Sequence, residues 1–240
     1  MELKEMIGRR RSVRAYEKQP LEESQLAEIR AFMAKAVPLD ASIAVHAEIL
    51  DKAHVTLLQK WDAPHYISVC SEDRPGWLEN VGFMFQQVDL YLQSQSLGSC
   101  WVGMGWPDES LVPSGMKHAI LMPFGKPKSV PERTCAEDFR RKAMGEIADY
   151  PDDRLEAARL APSACNSQPW YFVHAGENVL HVYREELNVI KRRMLGKYNP
   201  MDVGIALAHL MLTNESFAFR REKDPPLKDG FIYMGTVELN

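Results

Sequence analysis

Residues Ala161 to Trp170 read APSACNSQPW. Serine, asparagine and glutamine crowd together here in a run closed by proline and tryptophan. A core segment disfavours such a cluster unless every polar group finds a partner. Proline fixes a turn, and the small Ala164 and Cys165 permit close approach of another group. Far upstream, Arg9 to Tyr16 read RRRSVRAY. In an extended backbone, residues i, i+2 and i+4 point to one side, so Arg10, Ser12 and Arg14 form a row while Arg11 and Val13 face away. Two guanidinium forks and a hydroxyl suit a phosphate, and an exposed basic strand is the alternative.

The rest of the chain narrows what such a pair of segments could do. Its 240 residues are 45% apolar and 26% charged, ordinary for a globular protein with a substantial core. With 29 basic against 33 acidic residues and no long basic block, no nucleic-acid partner is expected. No apolar signal core and no span-length apolar run stand out, so no membrane association is expected and the chain is placed in the cytoplasm. Cys70, Cys100, Cys135 and Cys165 are scattered without a CxxC pair, which suits a reducing compartment. The histidines form no HExxH or close cluster, so no metal site is expected. Nucleophile-elbow, P-loop and dinucleotide fingerprints are also missing. An enzyme of this composition borrows its reactive group.

Periodicity predicts a short helix over Leu3–Ile7 stopped by a left-handed Gly8, a helix within Leu21–Val37, and strands in SIAVHAEIL and PHYISVCS. A long helix, apolar on most of its circumference, runs from Trp77 to Leu97 and ends at Gly98. HAILMPFG is a further strand, and KPKSVPERT a proline-interrupted loop. From about Arg140 the order starts again: RRKAMGEIADY, a helix in RLEAARLA, strands in WYFVHA and NVLHVYR, and a helix in MDVGIALAHLML. Val81-Gly82 aligns with Val203-Gly204 at an offset of 122. A true duplication and two merely similar helices both fit that pattern.

RRSVR, the buried helix leading into SLGSCWVG, the FGKP strand end and APSACNSQPW together resemble the FMN-dependent nitroreductase family. The likeness touches most of the chain, although each piece is short. It implies an α+β, nitroreductase-like fold in one continuous domain, 1–240. Two pseudo-symmetric halves, about 1–135 and 136–240, would each carry a mixed or antiparallel sheet and flanking helices. The central buried helices would be Leu78–Leu97 and Met201–Thr213. One departure matters: the family's turn motif normally follows RRSxR after a single helix, whereas here that position reads PLDASIAVHAEIL. The chain therefore looks like two family subunits fused, with one complete flavin site and no need of a second copy, hence a monomer.

The resemblance assigns FMN phosphate to Arg10, Ser12 and Arg14, with Arg141, or equally Arg140, as a further basic ligand. Pro162, Ser163 and Asn166 would form a lip at the flavin ring. Gly103, Met104 and Gly105 would offer a main-chain amide to the ring nitrogen that becomes basic on reduction. Gln168 and Trp170 are read as structural, and Cys165 as a small packing residue. The implied activity is oxidation of NAD(P)H with reduction of a nitroaromatic, quinone or similar planar acceptor, with no catalytic side chain. A flavin-holding module without turnover, or a flavin-dependent dehydrogenase of different substrate, is the alternative. Substrate choice is expected in loops at 54–61 and 106–116.

Overall fold

The computed structural model describes residues 2–59, 61–129, 133 and 135–240. In chain order the elements are α1 (Leu3–Ile7), α2 (Glu23–Met33), β1 (Val45–Leu50), β2 (Val55–Leu57), β3 (His65–Glu72), α3 (Trp77–Ser94), β4 (Gly98–Ser99), β5 (Gly105–Pro107), β6 (Met116–Gly125), α4 (Glu156–Arg159), β7 (Trp170–His174), β8 (Val179–Glu185), α5 (Val189–Leu195), α6 (Tyr198–Thr213), β9 (Phe217–Arg220) and β10 (Phe231–Leu239). One four-stranded sheet has the order β1-β3-β6-β4 and another the order β7-β8-β10-β9. Every pairing within them is antiparallel. In both sheets the strands lie first, second, fourth, third by chain order, and in both a long helix joins the second strand to the third.

Burial explains the strand sequences. β3 is buried along nearly its whole length, its His65, Ser68 and Ser71 included, whereas the edge strand β1 alternates between half-buried and exposed positions. α3 and α6 are buried around most of their circumference because each lies between its own sheet's core and the other helix. They cross on glycine. A Cβ built on Gly82 would collide with the Met201 carbonyl, and one built on Gly204 with the Glu79 carbonyl. Backbone therefore meets backbone in both directions, and no side chain larger than hydrogen fits.

Such burial obliges each polar side chain on these helices to find a partner. Gln87 exchanges hydrogen bonds with the backbone of Val37, its Nε2 donating to the carbonyl at 2.8 Å and its Oε1 accepting from the amide at 3.1 Å. Asn80 Oδ1 accepts from the amides of Leu39 and Asp40 at 2.8 and 3.0 Å. His209, its pKa pushed down to about 3 by burial, is neutral. Its Nδ1 donates to the Ala157 carbonyl at 2.8 Å, which leaves Nε2 to accept from Gln86 Nε2 at 3.0 Å. That bond ties α3 to α6 below the glycine crossing.

Several expectations need correction. Gly8 closes α1 at φ −74°, right-handed, so a side chain would be tolerated there. α3 stops at Ser94, the left-handed residue being Ser96 at φ 59°. Gly98 instead enters β4, where a Cβ would strike Val13. The helix expected in RLEAARLA is a 3-10 turn, Asp153–Leu155, running into α4. The 54–61 stretch is not simply a loop, since β2 within it pairs with β5. Lys60, and Val130, Pro131, Glu132 and Thr134 of the loop expected at KPKSVPERT, lie outside the described residues.

Gly204→Ala should cost at least about 1–3 kcal/mol, the range for overpacking, because the clash is with backbone that cannot rotate away. Urea denaturation of the variant measures this. An unchanged midpoint would show that the helices are not in contact at Gly204.

Candidate functional site

The N-terminal turns of α6 hold two of the segments that the sequence singles out, Gly103–Gly105 and the 161–170 turn. Tyr198 Oη donates to the Gly103 carbonyl at 2.8 Å, and a Cβ on Gly103 would strike the Tyr198 ring, so this glycine answers to close approach. Met104 is half exposed while its carbonyl accepts from the Leu58 amide at 3.1 Å, and Gly105 pairs with Leu57. One turn further along α6, Asp202 Oδ1 accepts from the Ala164 amide at 2.9 Å. The two-glycine segment and the 161–170 turn are thus brought to one end of one helix.

That turn is held under strain. Cys165, Asn166 and Gln168 have φ of 52°, 56° and 47°, and Arg140 beside them 51°. Left-handed backbone costs about 1–2 kcal/mol for a residue with a Cβ, least for Asn. The offset comes from side-chain bonds within and onto the turn. Ser163 Oγ accepts from the Gln168 amide at 2.9 Å, and Gln168 Oε1 accepts from the Lys142 amide at 2.7 Å. Asn166 Nδ2 donates to the Arg140 carbonyl at 3.0 Å, and its Oδ1 accepts from Arg141 Nη1 at 2.5 Å. Gln168 and Trp170 are buried. Cys165 is exposed, not packed, because the left-handed backbone turns it outward.

The arginine row divides. Arg10 Nη2 donates to Ser12 Oγ at 3.1 Å, so these two share a side. The Arg10 guanidinium, however, lies inside the protein, 1% exposed, with Nε 2.6 Å from Asp89 Oδ2 on α3. Asp89 also accepts from the Ser99 hydroxyl. Arg14 turns outward, 5.1 Å over the Trp61 ring. The expectation of three side chains presented together is corrected in this respect: a buried carboxylate claims the first, leaving Ser12 and Arg14 toward the surface.

Around Phe139 the site becomes cationic. Arg133 stacks on that ring at 3.9 Å and Arg141 lies 5.6 Å from it. Arg133 Nη1 donates to the Arg10 carbonyl at 2.7 Å, while Arg141 donates to the carbonyls of Phe139 at 2.7 Å and Leu160 at 3.1 Å. Burial first, then the like charge of neighbouring arginines, pulls Arg133 down to about 10 and Arg141 to about 9. The Nε of each is buried without a hydrogen-bond partner. Crowded guanidinium groups with unspent donors fit a phosphate dianion. Among the described residues no group of three or more His, Cys, Asp or Glu could hold a metal ion. A cleft of about 490 Å³ beside Trp77, Arg184 and Pro200 contains none of the expected residues, and the bonded chain above defines the site better than that cavity does.

Arg133, Trp61, Tyr198, Asp89 and Asp202 were not among the sequence candidates. The two aspartates carried a signal, since each places a charge on a largely apolar helix; Tyr198 opens α6, and Arg133 and Trp61 lie in connecting segments without a pattern.

A family model described as "Putative TM nitroreductase" matches residues 2–214. Among solved structures, one from Thermotoga maritima, likewise described as a putative nitroreductase, has a TM-score of 0.67 at 22% identity and covers 100% of this chain and 93% of its own. A nitroreductase family protein from Clostridium difficile has a TM-score of 0.50 at 18% identity, covering 61% of this chain and 96% of its own. A nitroreductase with bound FMN from Desulfitobacterium hafniense has a TM-score of 0.46 at 12% identity, over 60% and 98%. No curated protein matches.

Asp89→Asn should destabilise the fold by about 3–5 kcal/mol, because it strands the Arg10 charge where water cannot reach it. Chemical denaturation would show this in the ligand-free protein. A loss below about 1 kcal/mol would mean that Arg10 is free to face a ligand.

Proposed function

The chain belongs to the nitroreductase family, whose model spans residues 2–214, and from that premise we propose an FMN-dependent oxidoreductase. It oxidises NAD(P)H and reduces a nitroaromatic, quinone or similar planar acceptor. The observation that carries this reading is the convergence at one end of α6 of the Gly103–Gly105 segment and the strained 161–170 turn, linked through Arg141 to buried guanidinium groups with unspent donors. FMN supplies the electron chemistry when bound, and the protein holds and tunes it. Ser12, Arg14 and Arg133 are the candidates for the phosphate. Arg10 and Arg141 stand behind them, Arg10 fixing Ser12 and Arg141 fixing Asn166. Pro162, Ser163 and the Gly103–Gly105 backbone are the candidates for the ring.

We further read the chain as two family-like halves fused around α3 and α6. The common strand order supports this, as does the reciprocal crossing at Gly82 and Gly204. So does the accommodation of 96% of the Clostridium difficile chain within 61% of this one. On this reading the site beside α6 is complete and its counterpart beside α3 is not. Asn80 holds Leu39 and Asp40 as Asp202 holds Ala164, but counted from Pro38 as from Pro162, Leu39 stands in the place of Ser163 and Ser42 in that of Asn166. In RRKAM the side chains of Arg141 and Lys142 and the carbonyl of Arg140 are bonded to their own half's turn. One FMN per monomeric chain follows. No described helix is long and apolar enough to cross a membrane, in keeping with the proposed cytoplasmic location.

Purified protein should be yellow, carry one FMN per chain, and bleach on addition of NAD(P)H. A yellow but unresponsive protein would favour the module without turnover. Replacing Arg14 and Arg133 together by Ala should remove bonds to a charged group worth roughly 1.5–3 kcal/mol each. FMN should then be lost on dilution, measured by the recovery of flavin fluorescence. Unchanged affinity in a folded double variant would eliminate the phosphate assignment.

A further inference from the structure

Asp202 sits two residues before Gly204, the glycine of the helix crossing, and is 3% exposed. Its Oδ1 accepts from the Ala164 amide at 2.9 Å, but its Oδ2 is buried without a hydrogen-bond partner. An ionised carboxylate in such a place needs several donors or a cation. It has Ala164 and, nearby, the Ser167 hydroxyl, which the structure turns toward Asn199 Oδ1 at 3.5 Å. Of the charged groups on the elements around it, Glu156 and Arg159 of α4 pair with each other, and Arg184 of β8, whose buried Nε has no hydrogen-bond partner, lines a cleft with Glu79 and Pro200. On α3, Glu79 faces Arg221 and Asp89 faces Arg10. Arg141, attached to the turn, is bound to Asn166, and Cys165 is exposed. On α6 itself, Tyr198 bonds to Gly103, while His209 bonds to Ala157 and Gln86.

The other long helix carries a neutral group at the same place, although its Nδ2 too is buried without a hydrogen-bond partner. Two residues before Gly82 stands Asn80, whose Oδ1 accepts from two backbone amides of the 38–40 segment. A carboxylic acid and a primary amide have nearly the same shape, and both are neutral. Resting on the reading of the 161–170 turn as part of the cofactor site, we propose that Asp202 works as the neutral acid. It is a positioning residue: protonated, it clamps Ala164 and the turn to α6 in the cofactor-holding arrangement; ionised, it accepts the Ala164 amide more strongly but carries a buried charge that its surroundings do not compensate, and hydration of that charge opens the turn.

Burial pushes the Asp202 carboxyl up to about 8. Between its ordinary value near 4 and about 8, the closed form holds a proton that the open or unfolded form does not. The stabilisation is therefore complete at acid pH and falls as pH rises through that window. The turn should therefore open progressively as pH approaches about 8, and above that value, where the closed form ionises as well, the loss levels off.

The test uses the full chain without flavin, so that it stands whether or not FMN binds. The infrared spectrum at neutral pH should contain the carbonyl stretch of a protonated, buried carboxylic acid, absent in Asp202→Asn. Hydrogen exchange at the Ala164 amide, corrected for the intrinsic pH dependence, should accelerate at least tenfold between pH 6.5 and about 9 in the unmodified chain. In Asp202→Asn it should stay slow throughout. Flavin release, measured separately on loaded protein, should follow the same two profiles. A flat exchange profile in the unmodified chain would overturn the proposal whatever the variant does. So would an Asn variant that is folded yet unprotected at every pH, because the charge itself would then be required.

Discussion

The contact between α3 and α6 at Gly82 and Gly204 governs the arrangement of everything else. Because each glycine lies against a carbonyl of the facing helix, the two axes approach as closely as backbone allows. The core around α3 and the core around α6 share that boundary, and both sheets take their positions from it. The N-terminal end of α6 is thereby carried up to the segment that follows β4, where Tyr198 reaches Gly103. A wider crossing would separate the two groups of residues that the site requires. Packing thus sets the site's geometry before any polar contact is counted.

The polar contacts then divide labour between the halves. Arg10 is drawn inward by Asp89 and leaves Ser12 and Arg14 at the surface. Lys142 and Arg141, at the corresponding place in the second half, bind the 161–170 turn of that same half. One arginine-rich segment anchors itself and presents its tail; the other is consumed in bracing a strained loop. Arg133 links them, bonded to the Arg10 carbonyl and stacked on the ring beside Arg141.

Much of this was legible in the sequence where local chemistry decides it. The long helices declared themselves because α3 and α6 are apolar on nearly every face, a pattern that only burial explains. The 161–170 turn declared itself because so many polar residues cannot sit in a core unpartnered. The inward rotation of Arg10 was not legible, since Asp89 is brought to it only by the packing of α1 against α3. Strands β9 and β10, which complete the second sheet, follow the last assigned helix in a stretch where charged residues and glycine interrupt the alternation. The exposure of Cys165 was not legible either, since it goes with a left-handed φ that a non-glycine residue seldom adopts.

A backbone-to-backbone crossing also shapes how such a chain can vary over generations. Side chains elsewhere in the core can exchange volume with their neighbours, one growing as another shrinks, so many combinations satisfy the same space. Glycine has nothing to trade. Two positions out of the whole chain therefore store the separation of the helices, while the surrounding residues are at liberty to diverge.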